Sequence, residues 1–215
     1  YGDVVEEMDS RIGEILDILK VESLNKKTLV IFCSDNGPEP MIKESLAKPF
    51  RGKKWSSLEG GTRVPCILSW PGTLPAGLKT DAIISAMDLL PTLAHVCGIE
   101  LIKLKTNHVP IDGVNIWNTL IGMKKPHIRN DLLYWHGSKG FEAIRVGDWK
   151  LFPKRVGAEL KGNGPALFHL NKDIEEKNDL SQLHPDRVKS MQNLANQRLS
   201  EIRAKFIPLG RSHTD

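Results

Sequence analysis

Residues 28–37 read TLVIFCSDNG, a short apolar run that ends in a polar Ser-Asp-Asn-Gly segment. The run is rich in β-branched residues and too short for a helix, so it predicts a strand buried on both faces. Residues 4–19, just before it, place apolar side chains at helical intervals with charged residues between them. This spacing predicts an amphipathic helix, and a helix followed by a buried strand favours an α/β fold.

A long connection over residues 34–63 follows, rich in Gly and Pro and without a lasting period. Connections of this length in compact domains are usually functional. The next segment, VPCILSW at residues 64–70, predicts a second buried strand. A helix is predicted over residues 88–96, with Asp88 as its N-cap and Gly98 after its end, and a short helical turn over residues 115–121.

The pattern changes after residue 126 to short alternating segments: LLYWH, FEAIRV, DWKLF and ALFHL. Gly147-Asp148, between two of these segments, is a hairpin signal, so the pattern predicts an antiparallel sheet. Apolar residues at helical spacing over residues 188–206 predict a helix that covers this sheet. We therefore divide the chain into residues 1–126, an α/β part, and residues 127–215, an antiparallel sheet plus helix.

The composition is that of an ordinary globular protein, with 40% hydrophobic and 26% charged residues among 215. No apolar run has the roughly 20 residues of a membrane-spanning helix, and the first residues do not resemble a signal peptide. The net charge is +4, but Lys and Arg alternate with acids, which argues against a nucleic-acid partner. One acid-free basic cluster contains Lys48, Arg51, Lys53 and Lys54 and is suited to a small anion.

The three cysteines, Cys33, Cys66 and Cys97, are far apart in the sequence and have apolar neighbours. No spacing typical of a zinc site is present. We therefore predict that they are small buried hydrophobic residues, without a disulfide or a metal.

Asp35 and Asn36 follow the first predicted strand directly. Ligands of open α/β sheets bind beyond the carboxyl ends of the strands, and a carboxylate and an amide oxygen suit calcium or magnesium. Asp-Asn-Gly is also ordinary turn chemistry, because Asn and Gly accept positive φ angles. The residues by themselves leave both interpretations open.

The stretch FRGKKWSSLEGGTRVP, at residues 50–65, places a lysine five residues before Glu-Gly-Gly and an Arg-Val-Pro before the next apolar strand. Together with TLVIFCSDNG before it, this order closely resembles the sulfatases of the alkaline-phosphatase-like superfamily, of the arylsulfatase type. Further matching segments are VVEEMDSRIGEILDIL, MDLLPTLAHVCGI, IDGVNIWNTLIG, IRVGDWKLF and LFHLNKDIEEKNDL. The resemblance therefore spans nearly the whole chain.

The resemblance implies an α/β fold: part of an alkaline-phosphatase-like sheet with flanking helices, plus a C-terminal antiparallel subdomain covered by a helix. It also implies that Asp35 and Asn36 are two ligands of one Ca²⁺ ion that holds the sulfate oxygens. Lys54 matches the lysine that contacts the sulfate ester, as a catalytic and substrate-binding residue. The spacing to Glu59 selects Lys54 over Lys53, for which we predict a solvated role.

The family nucleophile is a formylglycine made from Cys or Ser in a C/S-x-P-x-R motif, and this chain contains no such motif. The nucleophile and two further metal carboxylates are therefore expected in a missing N-terminal half. We interpret the chain as the C-terminal half of a sulfatase, and we expect it to be inactive alone.

Other polar residues receive secondary predictions. His136, at the end of a predicted strand, is a candidate substrate-binding residue, although a surface histidine is the simpler interpretation. His108 has similar standing, and His95 and His169 are predicted to be packing residues. Glu59, Arg63 and the Gly60-Gly61 pair are predicted to build the turn, with the glycines adopting backbone shapes closed to other residues.

Two alternatives to a sulfatase acting on aryl or carbohydrate sulfates stay open. One is a phosphate or phosphonate ester hydrolase of the same superfamily, and the other is a non-catalytic module that binds sulfated glycans through the basic cluster. Family resemblance implies a secreted, periplasmic or lysosomal protein. A sheet that lacks strands exposes an edge or an apolar face, so we expect the chain to dimerise or aggregate.

Overall fold

The computed structural model describes residues 1–101, 111–123, 129–155 and 159–204. Its first part contains the helices α1 (Gly2–Val21), α2 (Glu59–Thr62), α3 (Leu89–Val96) and α4 (Trp117–Leu120), the strands β1 (Val30–Cys33) and β2 (Cys66–Ser69), and 3₁₀ turns at Asn25–Lys27 and Ala86–Asp88. The helices and strands predicted for residues 1–126 are thus present where the sequence patterns indicate them.

Helix α1 is confirmed, but its apolar stripe is not covered. None of its residues is buried, and Val4 and Ile15 are 70% and 57% exposed. An amphipathic helix is stabilised mainly by burial of its apolar face. The exposed apolar face of α1 is therefore available to pack against another surface.

Strands β1 and β2 pair antiparallel, with Val30 opposite Ser69 and Cys33 opposite Cys66. The prediction that both are buried on both faces is wrong, since β1 is mostly half-buried and β2 mostly exposed. The sheet they form has only two strands within the part of the chain that the structure describes. The predicted burial of the cysteines is also wrong: Cys33 and Cys66 lie in this sheet, Cys97 follows α3, and all three are exposed.

Helix α3 begins directly after Asp88 and ends before Gly98, whose φ of +69° is the left-handed conformation typical of a helix end. Asp88 occupies the predicted N-cap position of α3, but its carboxylate makes no capping hydrogen bond to that helix. It accepts hydrogen bonds from the backbone N–H groups of Ser85 and Val114, each at 2.8 Å, and pairs with Arg129. Asp88 therefore joins three segments of the chain.

The second part is a four-stranded antiparallel sheet in the order β3-β4-β5-β6, followed by helix α5. Its elements are β3 (Asp131–His136), β4 (Gly140–Val146), β5 (Trp149–Phe152), β6 (Ala166–His169) and α5 (Pro185–Ala204). The turn at Gly147-Asp148 joins β4 to β5 as predicted, with Gly147 at a φ of +55°. The predicted architecture of this part is confirmed.

Helix α5 covers one face of the sheet, as predicted. Buried apolar residues of the two layers pack together: Ile144, Leu151 and Leu167 from the strands, and Val188, Met191 and Ala195 from the helix. Phe206, which the predicted helix also included, lies outside the described residues.

The opposite face of the sheet packs against the loop that precedes α2. Leu58 from this loop is 2% exposed and belongs to the same buried cluster as Tyr134, Phe152 and Phe168. The two parts of the chain therefore share a core at this point. The boundary placed between residues 126 and 127 stays a prediction, and residues 124–128 lie outside the described residues.

Candidate active site

The Asp35-Asn36 segment lies directly beyond the end of β1. Asp35 is exposed, and its carboxylate has no hydrogen bond or ion pair with the described residues. Asn36 is half-buried, and its side-chain N–H donates to the Gly37 carbonyl at 2.8 Å. This leaves the Asn36 Oδ1 atom as an acceptor, so two oxygen donors are available at adjacent positions.

Gly37 holds this segment against the Gly60-Gly61 pair of α2. The Gly37 N–H donates to the Gly61 carbonyl at 2.9 Å, and a Cβ atom on Gly37 would lie 1.9 Å from the Gly60 carbonyl oxygen. None of the three glycines has a positive φ. The prediction that Gly60 and Gly61 adopt special backbone shapes is therefore wrong, and these positions need glycine because two backbones touch there.

Lys54 lies in a loop that wraps around the same helix. The Gly60 N–H donates to the Arg51 carbonyl at 2.7 Å, and a Cβ atom on Gly61 would lie 2.0 Å from the Ser56 carbonyl oxygen. At the other side of the loop, the Lys54 N–H donates to the Pro38 carbonyl at 3.0 Å. The backbone of Lys54 is therefore bonded to the segment that carries Asp35 and Asn36.

The Lys54 side chain is 35% exposed, and its Nζ atom lies 3.9 Å from a carboxylate oxygen of Glu39 and 5.6 Å from the ring centroid of Trp55. Trp55 has a φ of +69°. This left-handed conformation costs a residue with a side chain about 1–2 kcal/mol and is often found at functional sites. The loop thus presents a cation and an exposed aromatic ring together.

A buried ion cluster of Glu59, Lys150 and Glu176 lies between α2, which the Lys54 loop wraps around, and the antiparallel sheet. The Lys150 side chain is fully buried, and its Nζ atom lies 2.9 Å from Glu59 Oε1 and 3.1 Å from Glu176 Oε1. The backbone N–H of Glu59 donates to Glu176 Oε2 at 2.7 Å. This cluster fixes the first turn of α2 to β5 of the antiparallel sheet.

The charges in the buried ion cluster depend on each other. Burial alone would raise the pKa of Glu59, but the positive charges of Lys150 and Arg145 outweigh burial and lower this pKa. Burial lowers the pKa of Lys150, but the nearby groups, including both carboxylates, outweigh it and raise this pKa. Burial is the main cause of a raised pKa at Glu176. Glu59 and Lys150 are therefore a charged pair in the folded chain.

The Sulfatase family model matches residues 1–99. Steryl-sulfatase of Homo sapiens is 31% identical over an alignment 248 residues long, gaps included. This alignment covers 96% of this chain and 41% of that protein. The chain belongs to the sulfatase family. The N-acetylgalactosamine-6-O-sulfatase of Bacteroides thetaiotaomicron is 30% identical and is matched over 90% of this chain and 40% of its own length.

Solved sulfatase structures confirm the alkaline-phosphatase-like α/β fold. The PsFucS1 sulfatase from Pseudoalteromonas sp. superimposes with a TM-score of 0.79 at 26% identity, over 94% of this chain and 42% of that one. The chain spans about two fifths of the length of the relatives it matches.

Lys150 of this sulfatase chain was not identified from the sequence, whereas Glu59 was correctly assigned to the architecture. Arg63, which was predicted to build the same turn, lies 3.9 Å from Glu59, so the shorter contact of Glu59 is that with Lys150. The sequence did contain a signal for this buried lysine. In the strand DWKLF, Lys150 and Phe152 are two residues apart and therefore point to the same face of the sheet. A lysine on the face of a buried phenylalanine indicates a buried cation that needs carboxylate partners.

His136 lies at the end of β3, half-buried, with its Nδ1 atom 3.3 Å from the Ser138 hydroxyl. It lines a pocket together with Trp55, Glu142 and Glu159, on the side of the Lys54 loop that faces the antiparallel sheet. The sulfatase fold therefore brings His136 close to the residue that follows Lys54. A role for His136 in substrate binding stays a prediction.

The other histidines give mixed results. His169 packs against Trp149, with ring centroids 4.6 Å apart, as predicted. His95 is exposed, so the prediction that it packs in a core is wrong, because it lies on the uncovered side of α3. His108 lies outside the described residues.

Asp35 and Asn36 offer the type of ligand atom that a calcium ion prefers, but too few of these atoms to complete its coordination. Both offer oxygen donors, and Ca²⁺ takes six to eight of them. Among the residues placed by the structure, no group of three His, Cys, Asp or Glu side chains is arranged to hold a metal ion. A calcium site that included Asp35 and Asn36 would need further oxygen donors.

Proposed function

We propose that this chain supplies part of the calcium- and sulfate-binding site of a sulfuric ester hydrolase. One observation carries the proposal: two backbone hydrogen bonds, Gly37 to Gly61 and Lys54 to Pro38, join the segment with the oxygen donors to the loop with the lysine. Membership of the sulfatase family supports the reaction class.

The proposed roles follow from the charges. The Asp35 carboxylate and the Asn36 amide oxygen hold the cation, and the Lys54 ammonium binds the sulfate oxygens and orients the ester. When bound, calcium adds positive charge that stabilises the charge developing on sulfate in the transition state. The nucleophile, proposed to be formylglycine, is contributed by a C/S-x-P-x-R motif that this chain lacks.

We further propose that the organic part of the ester occupies the pocket between Trp55 and His136. The exposed Trp55 ring offers an apolar face that suits the ring of an aryl or carbohydrate sulfate. Two relatives are named for substrates with ring systems, a steryl-sulfatase and an N-acetylgalactosamine-6-O-sulfatase.

The alternative of a glycan-binding module receives less support from the basic cluster. The Arg51 guanidinium donates to the carbonyls of Glu159 and Glu176, the Lys53 ammonium donates to the Ile42 carbonyl, and Lys54 faces Glu39. Because Arg51 and Lys53 already donate to carbonyl groups of the chain, the cluster does not offer four free cations to an anionic polymer. None of the relatives described above carries the name of a phosphate or phosphonate hydrolase.

A compartment outside the cytosol, either secreted, periplasmic or lysosomal, is proposed from the family alone. Within the described ranges, no helix has the length and apolar character needed to cross a membrane.

The metal-binding part of the proposal is tested with terbium, a luminescent substitute for calcium. In a protein that contains both this chain and the proposed nucleophile, we expect saturable terbium luminescence sensitised by Trp55, which calcium abolishes by competition. Asp35→Asn removes the charged ligand and is expected to weaken terbium binding about tenfold or more. Asp81→Asn, at an exposed aspartate outside the site, is the matched control. Equal binding by both variants would exclude Asp35 as a ligand.

Self-association is the expected behaviour of the isolated chain, because the apolar side of α1 is exposed. Val4→Glu combined with Ile15→Glu places two charges on this face and is expected to shift the chain toward monomer. Light scattering at several protein concentrations measures the change. Glu6→Gln with Glu14→Gln, on the same helix, is the control. A wild-type chain that stays monomeric at all concentrations contradicts this expectation.

A further inference from the structure

Cys33 and Cys66 lie directly opposite each other across the β1–β2 ladder. The Ser34 N–H donates to the Pro65 carbonyl at 3.3 Å, so the pair next to the cysteines is hydrogen-bonded. Hydrogen-bonded and non-hydrogen-bonded pairs alternate in an antiparallel ladder, which makes Cys33 and Cys66 a non-hydrogen-bonded pair.

This position brings the two side chains close together on one face of the ladder. Cα atoms of a non-hydrogen-bonded pair are about 4.5 Å apart, within the range of about 4.4–6.8 Å found in disulfides. Burial raises the pKa of the Cys66 thiol, and the neighbouring Cys33 sulfur contributes to the same shift. The two sulfurs therefore interact.

Both cysteines are free and exposed, so reagents in solution reach them. Cys97, the third free cysteine, is at the end of α3 and has no cysteine opposite it in the described ladder. The sequence pattern had placed all three among buried residues, so this pairing follows from the strand register alone.

We propose that Cys33 and Cys66 are a reversible dithiol–disulfide site that is oxidised by small disulfides such as oxidised glutathione. The Cys33 sulfur attacks the glutathione disulfide, forms a mixed disulfide and releases one glutathione thiolate. The Cys66 sulfur then attacks Cys33 and releases the second glutathione. Two protein thiols are oxidised, one small disulfide is reduced to two thiols, and the protons leave with the products.

The disulfide closes residues 34–65 into a loop. This loop contains both segments of the candidate active site, the Asp35-Asn36 segment and the Lys54 loop. Oxidation therefore restricts the conformations of the site segments in the unfolded chain, which stabilises the folded chain.

The experiment equilibrates the 215-residue chain with glutathione buffers of increasing oxidised fraction, then alkylates the remaining thiols under denaturing conditions. Peptide masses report each cysteine. We expect Cys33 and Cys66 to lose alkylation together, in one peptide pair linked within a chain and lighter by two hydrogens, while Cys97 is still alkylated. The melting midpoint of the oxidised chain is expected to rise by about 5 °C or more.

Two variants sharpen the result. Cys66→Ser removes the second sulfur, so glutathione is expected to stay attached to Cys33. Cys97→Ser is expected to oxidise as the wild type does. Separate glutathione adducts on Cys33 and Cys66 of the wild-type chain, or disulfides between chains on a non-reducing gel, would overturn the proposal. These readouts need neither metal nor activity, so they are independent of the proposed function.

Discussion

Replacing Lys150 with methionine is expected to lower the free energy of unfolding by about 3–5 kcal/mol. The Lys150 ammonium is fully buried and contacts carboxylate oxygens of Glu59 and Glu176. Methionine has a similar volume but no charge, so Glu176 would be left in the core without its cation, and Glu59 would keep only the more distant Arg145 and Arg63, at 3.6 and 3.9 Å. An unpaired buried charge costs more than the pair contributes, which explains the size of the expected loss.

Urea denaturation followed by tryptophan fluorescence measures this change. Lys172→Met is the matched control, because Lys172 is exposed and its side chain has no hydrogen bond or ion pair among the described residues. The control is expected to unfold within about 0.5 kcal/mol of the wild type. A Lys150→Met chain that is as stable as the control would show that the buried ion cluster does not support the fold.

Replacing Lys54 with alanine is expected to lower kcat/KM for an aryl sulfate by about 10²–10³-fold in a protein that contains both this chain and the proposed nucleophile. The reason is that the ammonium is proposed to stabilise charge on the sulfate oxygens in the transition state. The backbone of Lys54 is held by its hydrogen bond to Pro38, so alanine removes the charge and leaves the loop in place.

Lys53→Ala is the control for this variant. Lys53 has the same charge and a neighbouring position, but its ammonium donates to the Ile42 carbonyl. Loss of activity in Lys53→Ala and not in Lys54→Ala would reverse the assignment made from the spacing to Glu59. Steady-state kinetics with an aryl sulfate and the matching aryl phosphate also separate a sulfatase from a phosphate ester hydrolase.

Local patterns were sufficient to predict most elements of the fold. The four strands of the C-terminal sheet are short segments that alternate between apolar and polar residues and are separated by turn residues. Each of these features involves only a few neighbouring residues. Gly147 at a hairpin and Gly98 at a helix end have the positive φ angles that such positions need. Elements that are set by neighbouring residues can therefore be predicted from a single sequence.

Burial and long-range partners could not be predicted in the same way. An apolar run such as VIFC predicts a strand but does not show how many strands will cover it, and the predicted burial of Cys33 failed for this reason. Asp88 was correctly placed at the start of α3, but the partners of its carboxylate, Val114 and Arg129, are 26 and 41 residues away and are not visible in local spacing. A side chain with several possible partners takes those that the tertiary fold brings to it.

The candidate site shows both situations. Residue type and spacing selected Asp35, Asn36 and Lys54, and these residues lie on backbone segments that hydrogen-bond to each other. The contact that allows this, Gly37 against Gly60, depends on two turns that are far apart in sequence. The glycines are visible in the sequence, but the backbone contact that requires them is visible only in the structure.

The central claim is that Asp35, Asn36 and Lys54 form one site. It is tested most directly by a crystal structure, with calcium and sulfate, of a protein that contains both this chain and the proposed nucleophile. We expect a cation about 2.3–2.6 Å from oxygens of Asp35 and Asn36. We also expect a sulfate on that cation, with Lys54 Nζ about 2.7–2.9 Å from a sulfate oxygen. A cation bound elsewhere, or a sulfate at Asp35 and Asn36 with the Lys54 ammonium directed away from it, would contradict the account.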